Sequence, residues 1–367
     1  MTPASLIFIA ITLLYMAQCW LLIYGVSKSR YKKNPLFEPT VSIVTAARNE
    51  EKNIRACLES LAQLDYPKAK LEIIVVDDGS TDATAAIIRN CAVNYPEIKA
   101  LTAQQGTDRL RGKANAIAQG IDISTGDIIL MTDADCVVPQ SWVRATAQNY
   151  SDDTGVVAGL TLLRPTNWFA GMQSLDWAYI LALASAAMAL NNPLSCIGNN
   201  FSFRRKAYDE VGGYRAIQFS VTEDFALFKA ITHGWRWGYR YPLEKGTLVF
   251  SNACPTILEL YRQKRRWGVG GKDLPISGMI LMVIAFSMHL LLLSFLFFLI
   301  NPPLLLLGLI LKFASDFVLL FVPLNRTRQT RQLKYFLIFE LYYTIYVVLL
   351  PFAVFLGGSV VWKGRKY

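Results

Sequence analysis

The chain has 367 residues, of which 53% are hydrophobic and 17% are charged, and its formal net charge at pH 7 is +10. Such an apolar composition excludes an ordinary water-soluble enzyme. Two histidines and six scattered cysteines, without a Cys-x-x-Cys pair, argue against a histidine-ligated zinc site and a Ser-His-Asp triad. No nucleic-acid-binding motif accompanies the positive charge, which suits an anionic membrane surface.

The first predicted element is a membrane-spanning helix. Residues 5–27 are apolar apart from Gln18, and they are long enough to cross a hydrocarbon core of about 30 Å. A cleaved signal peptide is the alternative, but neither a short apolar core nor a small-residue cleavage site stands out. A basic cluster follows the apolar run: Lys28, Arg30, Lys32 and Lys33. Because positive residues flank the cytoplasmic end of a spanning helix, we expect the centre of the chain to be cytoplasmic.

Strand-like and helix-like segments then alternate, which predicts a mostly parallel sheet with helices on both faces. The predicted strands are 41–47, 71–76 and 127–131, and the predicted helices are 50–64, 81–94, 114–121 and 141–150. No Gly-x-Gly-x-x-Gly follows the first strand and no Gly-Lys-Ser/Thr loop occurs. The pattern therefore argues against a dinucleotide-binding dehydrogenase and a P-loop NTPase.

Acidic side chains end two of these strands, where ligands of parallel sheets bind. Asp77 and Asp78 follow the second strand, and Asp133 and Asp135 follow the third. Two acids one residue apart suit a hard divalent cation, which takes oxygen ligands and is commonly shared with substrate phosphates. Taken singly, each motif is also typical of a turn or a helix cap, as Ser80 illustrates after Asp-Asp-Gly.

The C-terminal part is again apolar, with runs at 274–300, 304–324 and 335–362. The loop at 325–334 is basic and should be cytoplasmic. Three full spans would place the basic tail outside, but Pro351 and the glycine pair at 357–358 leave open a kinked or re-entrant last run. Three ionisable residues lie within these runs and are either functional or paired between helices: Lys312, Asp316 and Glu340.

Five motifs in order resemble the family 2 glycosyltransferases. They are VSIVTAARNE at 41–50, VVDDGSTD at 75–82, DAD at 133–135, TED at 222–224 and QKRRW at 263–267. The resemblance implies an inverting, nucleotide-sugar-dependent enzyme with a GT-A fold. The membrane arrangement is similar to the integral-membrane branch, which includes poly-N-acetylglucosamine, cellulose and hyaluronan synthases, ceramide glucosyltransferases and bacterial carotenoid glycosyltransferases.

The resemblance implies roles for residues at the donor side of the site. Ala46, Glu50 and Asp78 are expected to hold the uridine, with Asp77 supporting the site, and Lys113 is expected to approach the diphosphate or ribose.

Metal binding is implied for the DAD motif. Asp133 and Asp135 are expected to hold Mg²⁺ or Mn²⁺ on the diphosphate. The leaving nucleoside diphosphate gathers negative charge as the glycosidic bond breaks, and a cation neutralises that charge.

Asp224 is implied as the general base, with Glu223 sharing or orienting that role. Inversion needs a carboxylate on the face of the sugar opposite the leaving group, where it removes the proton of the acceptor hydroxyl. By itself the TED triplet is more typical of a helix N-terminus with acids in its first turn. Its place within the ordered set of motifs favours the base.

Gln263, Arg266 and Trp267 match a Q-x-x-R-W signature. Arg266 can grip the diphosphate, and Trp267 can form a floor under the acceptor. An amphipathic helix on the membrane is the other interpretation, and both can hold at once. In it three basic residues face phospholipid: Arg262, Lys264 and Arg265.

Two further segments are less specific. GNNFSFRR at 198–205 matches the family's stretch ahead of the base, and Asn199 or Asn200 is expected to contact the donor sugar, unless this is only a strand entering a turn. Residues 175–190 are apolar but short for a span. We predict a helix docked at the bilayer surface near the acceptor entrance, with a buried core helix as the alternative.

The expected organisation has three parts: an N-terminal transmembrane helix with its basic flank (1–35), a cytoplasmic GT-A domain ending in an interfacial helix (36–273), and about three transmembrane helices with a basic tail (274–367). The expected location is the inner (plasma) membrane. The expected partners are a UDP-sugar, a membrane lipid acceptor and the bilayer, without nucleic acid.

Two functions remain open at this point. One is transfer of a single sugar, with glucose favoured, to a carotenoid- or ceramide-type lipid. The other is a processive polysaccharide synthase of the poly-N-acetylglucosamine, chitin-oligomer or hyaluronan type, in which Q-x-x-R-W is frequent. About four spans and a tail at 362–367 that resembles the W-x-G-R-x-Y of lipid glycosyltransferases favour the first. An inactive scaffold is disfavoured because buried unpaired acids are costly.

Overall fold

Helices and strands alternate through the first two thirds of the chain, and helices alone fill most of the rest. The computed structural model describes residues 2–107, 110–218, 222–270, 274–293, 301–355, 361–362 and 365–366. The helices are α1 (Pro3–Lys28), α2 (Ile54–Ala62), α3 (Thr84–Asn94), α4 (Gly112–Asp122), α5 (Trp142–Ala147), α6 (Trp168–Ala189), α7 (Arg205–Glu210), α8 (Gly213–Ala216), α9 (Glu223–Thr232), α10 (Ile257–Gly270), α11 (Ile276–Leu293), α12 (Pro302–Arg326) and α13 (Phe336–Phe355). The strands are β1 (Val41–Ala47), β2 (Leu71–Asp77), β3 (Ile98–Thr102), β4 (Ile128–Met131), β5 (Thr154–Ala158), β6 (Thr161–Leu163), β7 (Phe201–Arg204), β8 (Gly238–Arg240), β9 (Val249–Ser251), β10 (Val361–Trp362) and β11 (Arg365–Lys366).

The central sheet has seven strands in the order β3-β2-β1-β4-β7-β5-β8. β1 pairs in parallel with β2 and β4, β2 pairs in parallel with β3, and only β7 runs antiparallel to its two neighbours. Apolar clusters cover both faces of the sheet, which explains the continuous apolar runs of β1, β2 and β4. The predicted mostly parallel sheet is confirmed, and its carboxyl-end edge carries the acidic residues.

Two predicted helices begin three or four residues later than expected, because their first residues form loops that bind each other. Asn49 has a φ of 52°, in the left-handed region, so the chain turns before α2 begins at Ile54. The side-chain oxygen of Asn49 accepts a hydrogen bond from the Thr81 amide at 2.8 Å, and Glu51 accepts one from the Ala83 amide at 3.1 Å. Backbone donors that would have started α3 earlier are used to join the two loops at the edge of the site.

Four described segments are long and apolar enough to cross a membrane: Pro3–Lys28, Ile276–Leu293, Pro302–Arg326 and Thr330–Phe355. One lies at the N-terminal end and three follow the central domain, as predicted. The Arg326 guanidinium donates hydrogen bonds to the carbonyls of Val26 at 2.7 Å and Ser27 at 3.0 Å. The carboxyl ends of α1 and α12 therefore lie together, on the same side of the helix bundle.

The ionisable residues within these helices pair with one another. Lys312 forms ion pairs with Asp316, at 3.1 Å, and with Glu340 of α13, and all three side chains are fully buried. Asp316 also accepts hydrogen bonds from the hydroxyls of Tyr15 at 2.8 Å and Tyr179 at 3.1 Å. Pairing between helices, one of the two expectations, is what the structure shows.

Helix α6 is longer and more buried than predicted. It packs against α1, α12, α13 and β6, and most of its side chains are inaccessible. A Cβ atom at Gly25 of α1 would lie 2.7 Å from the carbonyl oxygen of Ala186, so only glycine allows this approach. The surface-docked helix predicted for 175–190 is wrong, and the buried alternative is correct, because membrane helices cover the face expected to meet lipid.

The end of the last apolar run is described only in part. Pro351 lies inside α13, and Val361–Trp362 pairs with Arg365–Lys366 in an antiparallel ribbon. Residues 356–360, 363–364 and 367 lie outside the described residues, and they include half of the W-x-G-R-x-Y tail.

Candidate active site

The DAD motif lies in the turn that follows β4. The Asp133 carbonyl accepts a hydrogen bond from the Cys136 amide at 3.0 Å, which closes this turn. Asp135 Oδ2 accepts a hydrogen bond from the hydroxyl of Ser251, at the end of β9, at 2.8 Å. Burial, with the negative charges of Asp133 and Glu50, raises the pKa of Asp135 to about 6. Three carboxylates are therefore close enough to oppose one another's ionisation.

This crowding fits a divalent cation. Oxygen ligands suit Mg²⁺ and Mn²⁺, and a cation would relieve the repulsion that raises the pKa of Asp135. No group of three or more acidic, histidine or cysteine side chains converges on a metal position anywhere in the described part of the chain. Asp133 and Asp135 would thus supply only part of a coordination shell, as is usual for Mg²⁺ shared with phosphates.

Lys113 connects the DAD motif to the TED motif. It lies in the first turn of α4, and its ammonium nitrogen is 2.6 Å from Asp133 Oδ1 and 3.6 Å from Glu223 Oε1. Burial acts to lower the pKa of Lys113, but Asp133 and Glu223 outweigh it and raise the pKa above its usual range. The ammonium group of Lys113 therefore links the acids at the end of β4 to α9.

Asp224 is held by two backbone amides. Its Oδ2 accepts a hydrogen bond from the Gly198 amide, and its Oδ1 accepts one from the Phe225 amide at 2.8 Å. Burial and the adjacent charge of Glu223 raise the pKa of Asp224 to about 7, although Lys113 acts in the opposite direction. A carboxylate with a pKa near neutrality is suited to remove a proton from a hydroxyl group.

The expected uridine residues lie at the neighbouring strand ends. Ala46 is half-buried in β1, and the carboxylate of Asp77, at the end of β2, accepts the Ser80 amide at 3.3 Å. Asp78 is buried, and its carbonyl accepts a hydrogen bond from Arg48 at 2.7 Å. These residues occupy the same sheet edge as the acids of the DAD motif.

Glu50 joins this edge to the metal acids. Its side chain accepts a hydrogen bond from Asn53 at 2.7 Å, and its charge acts on Asp135. A residue expected to contact the nucleoside thus lies within electrostatic reach of the proposed metal position.

The two asparagines before β7 differ in their surroundings. Asn200 accepts a hydrogen bond from the Trp142 indole at 3.0 Å and donates two to backbone carbonyls, so its side chain has a structural role. Asn199 is also buried, and its side-chain oxygen accepts a hydrogen bond from Thr161 at 2.8 Å. Asn199 is next to Gly198, which contacts Asp224, so of the two it lies nearer to the candidate base.

The Q-x-x-R-W residues lie on α10. Trp267 packs against Trp177 of α6 with ring centroids 5.2 Å apart. The side-chain oxygen of Gln263 is buried without a hydrogen-bond partner among the residues that the structure describes, which leaves it available to a ligand. Arg266 is half-buried and acts electrostatically on Cys254, the thiol on which Asp135 also acts.

One expectation for α10 is wrong. Lys264 does not face phospholipid but is buried in an ion pair with Asp176 of α6. Of the apolar residues expected to meet the membrane, Ile257, Leu258 and Tyr261 are 76%, 55% and 47% exposed, whereas Leu260 is buried and Trp267 packs against α6. The helix is amphipathic, but one of its cations points into the protein.

Two residues in this region escaped the sequence analysis. Ser251 binds Asp135 directly, and Gln173 of α6 binds both the amide and the carbonyl of Cys254 at 2.9 and 3.0 Å. A lone serine or glutamine carries no sequence signal for such a contact. Together they fix the segment between β9 and α10 to the site at one end and to α6 at the other.

Comparison with known proteins agrees with this geometry. The model "Glycosyl transferase family 2" matches residues 42–212, and the model "Glycosyl transferase family group 2" matches residues 128–357. The chain is 28% identical over 239 residues to a beta-monoglucosyldiacylglycerol synthase of Synechocystis sp., covering 64% of this chain and 48% of that protein. It is also 28% identical over 240 residues to a poly-beta-1,6-N-acetyl-D-glucosamine synthase of Staphylococcus aureus, covering 64% of this chain and 55% of that protein. The chain thus matches about half the length of these curated relatives.

Among solved structures, a mannosyltransferase from Pyrobaculum calidifontis in complex with GDP-mannose and Mn²⁺ has a TM-score of 0.56. The match covers 93% of this chain and 98% of that one at 20% sequence identity. At this identity the similarity establishes the fold.

Proposed function

The chain belongs to the family 2 glycosyltransferases, and from this membership we propose that it transfers a sugar, with inversion, from a UDP-sugar to a hydroxyl group of a membrane lipid. The observation that carries the proposal is the Lys113 bridge between Asp133 and Glu223. It joins the acids suited to a diphosphate-bound metal and the acids suited to proton removal in one site. That site adjoins helices long and apolar enough to span a membrane.

Asp224 is the general base in this proposal. It removes the proton of the acceptor hydroxyl while that oxygen attacks the anomeric carbon, and the bond from this carbon to the nucleoside diphosphate breaks on the opposite face. The raised pKa of Asp224 places the base near neutral pH, where its carboxylate is both populated and basic enough to act. Glu223 supports the role because its charge contributes to that pKa.

The donor lies along the sheet edge. Ala46, Glu50 and Asp78 surround the uridine, with Asp77 supporting the turn, and Asn199 lies nearest the sugar. Asp133 and Asp135 would hold Mg²⁺ or Mn²⁺, which when bound would neutralise the charge of the leaving diphosphate.

Lys113 and Arg266 add positive charge on the donor's diphosphate. In the structure Lys113 is shared by two carboxylates, so it carries the positive charge of this region beside the proposed metal position.

The acceptor side is formed by α10. Trp267 offers a flat apolar surface to the acceptor, and Gln263 offers an unused buried oxygen. The exposed apolar residues at the start of the helix lie at the bilayer surface, so an acceptor hydroxyl can reach the site while its acyl chains stay in the membrane. The glucosyldiacylglycerol synthase relative favours glucose and a diacylglycerol-like acceptor, and carotenoid and ceramide acceptors have the same amphiphilic form.

A processive poly-N-acetylglucosamine synthase is the second candidate. The Q-x-x-R-W signature and the Staphylococcus aureus relative favour it. The four candidate spans of the described chain favour the lipid acceptor, since a secreted polymer needs a channel lined by several helices.

Product analysis tests the proposal. Purified protein in detergent is given radiolabelled UDP-glucose, UDP-N-acetylglucosamine or GDP-mannose, with Mg²⁺ or Mn²⁺ and a total lipid extract. A single organic-soluble glycolipid is expected, and its mass identifies the acceptor. A ladder or a large water-soluble product would establish the polymer synthase instead, and labelled product from GDP-mannose alone would overturn the UDP-sugar.

A further inference from the structure

We infer that Asp176 of α6 is a positioning residue, which through its ion pair with Lys264 sets the orientation of α10 and of the acceptor-facing ring of Trp267. The inference rests on the proposed function, because it assigns the device that aligns the acceptor side of the site. No substrate contact is assigned to Asp176 itself.

The ion pair is enclosed within the protein. The side chain of Asp176 is 0% exposed and that of Lys264 is 3% exposed. Tyr342 of α13 donates a hydrogen bond to the same carboxylate at 3.3 Å. The pair therefore joins three helices at one point, and each charge depends on its partner for compensation.

The ammonium group of Lys264 also makes cation–π contacts with two aromatic rings. Its nitrogen atom lies 4.6 Å from the ring centroid of Trp267 and 4.9 Å from that of Tyr346. Trp267 is held on another side by Trp177, the residue after Asp176. The orientation of the Trp267 ring thus follows from contacts that Asp176 and its neighbour make.

One face of α6 supplies three of the contacts to α10 and to the segment before it. Gln173, Asp176 and Trp177 are spaced by three and four residues, so they share a face of the helix. Gln173 holds the segment before α10, Asp176 holds the middle of α10, and Trp177 holds Trp267. This face fixes the signature helix at three successive points.

The other contacts of α10 are mainly apolar: the helix packs against α13, where a Cβ atom at Gly268 would lie 2.5 Å from Val354 Cγ2. Of the α10 side chains that the structure describes, only Leu260 and Lys264 are buried. An apolar contact tolerates sliding and rotation, whereas a buried ion pair is satisfied only in one alignment. The ion pair therefore restricts the alignment of Trp267 more narrowly than the apolar contacts of α10 with α13 do.

The test separates alignment from stability with a double variant. Asp176→Asn together with Lys264→Met removes both charges, leaves an acceptor for Tyr342, and exposes no unpaired ion. We expect this variant to melt near the wild-type temperature and to bind the UDP-sugar with unchanged Kd. Hydrogen exchange in 257–270 should be faster, and kcat for transfer to the lipid should fall by about 10²-fold, as a small misplacement of reacting groups can cause.

Two further variants complete the design. Lys264→Arg keeps the charge and should restore most of the transfer rate. Lys312→Gln disrupts the other buried ion cluster of the bundle and should lower the melting temperature without changing exchange in 257–270.

Wild-type exchange and transfer in the double variant would overturn the inference, and so would an equal loss of transfer in Lys312→Gln. The exchange measurement does not depend on any product. If the wild-type protein makes no glycolipid, the proposed function fails, while the exchange of α10 still decides whether the pair aligns it.

Discussion

Asp135 and Asp224 are both carboxylates with raised pKa values, yet different neighbours raise them. Burial, Asp133 and Glu50 act on Asp135, whereas burial and Glu223 act on Asp224. A bound cation offsets the first set of charges, and Lys113 offsets only part of the second. The first environment suits the proposed metal ligand, and the second suits the proposed base.

The pH dependence of transfer follows from the pKa of Asp224. The base acts deprotonated, so the rate should fall about tenfold per pH unit below pH 7 and level off above it. Glu223→Gln removes a neighbouring negative charge, which lowers the pKa of Asp224 and moves the rising limb to lower pH. Initial rates of lipid glycosylation across the pH range measure this, and an unmoved limb in Glu223→Gln would contradict the coupling.

Loss of the base should leave the donor site intact. Asp224→Asn keeps the size of the side chain but cannot accept the proton, so kcat should fall by about 10²- to 10⁴-fold. UDP-sugar binding, measured by calorimetry, should be nearly unchanged. Loss of nucleotide binding in this variant would remove Asp224 from the role of base.

The metal assignment predicts a change in nucleotide affinity. Asp135→Ala should abolish the gain in UDP affinity that Mn²⁺ provides, since half of the protein's proposed ligands are gone. Calorimetric titration of UDP with and without Mn²⁺ measures this gain. Ser251→Ala serves as a control because it removes only a hydrogen bond to Asp135, and the metal-dependent gain should survive in it. An intact gain in Asp135→Ala would rule the residue out as a ligand.

At the scale of helices and strands, local patterns predicted the elements whose environment is uniform. β1, β2 and β4 are buried on both faces, so each is a short unbroken apolar run. β5, β6, β8 and β9 have three to five residues each, and their partners are distant in sequence, so nothing local indicated them, whereas a strand was one interpretation of the segment that contains β7. Because the carboxyl ends of parallel strands meet at one edge of a sheet, the sequence predicted that the acids at these strand ends lie near one another. The contact between α6 and α10 could not be predicted from either segment alone.

The sequence of α6 nevertheless contained one indication of this contact, at Asp176. It is the one charged residue in the 22-residue sequence of α6, and such a residue needs a partner. The sequence did not identify that partner, because α10 has four basic residues and only the fold shows which one faces Asp176.

The contact between α1 and α6 can be tested at Gly25. Gly25→Val places a branched side chain against the backbone of Ala186, so the helices must separate, at a cost of about 1–3 kcal/mol. The melting temperature in detergent should fall. Leu14→Val, on the exposed side of the same helix, is the matched control and should change it little. Equal melting of both variants would contradict the close approach.

For the whole molecule, the arrangement of charges predicts its orientation in the membrane. The basic residues after α1 and those between α12 and α13 lie at one end of the bundle, because Arg326 binds the last turn of α1. That end should face the cytoplasm together with the catalytic domain.

Cysteine labelling measures this orientation. Lys32→Cys and Arg331→Cys should react with a membrane-impermeant maleimide only in inside-out vesicles, and Thr2→Cys only in right-side-out vesicles. The unsubstituted chain, whose cysteines are buried or half-buried, gives the background. Labelling of Lys32→Cys and Arg331→Cys from opposite sides would contradict the shared end.

The binding of α1 by Arg326 has a consequence for biosynthesis. Arg326 follows Val26 by 300 residues, so α1 leaves the ribosome long before the residue that completes its last turn. At about 20 residues per second, the fastest usual rate of synthesis, roughly 15 seconds separate the synthesis of α1 from that of Arg326. The catalytic domain is translated within this interval. A nascent chain can therefore contain its whole central domain before Arg326 binds α1, although α6 is by then available to pack against that helix.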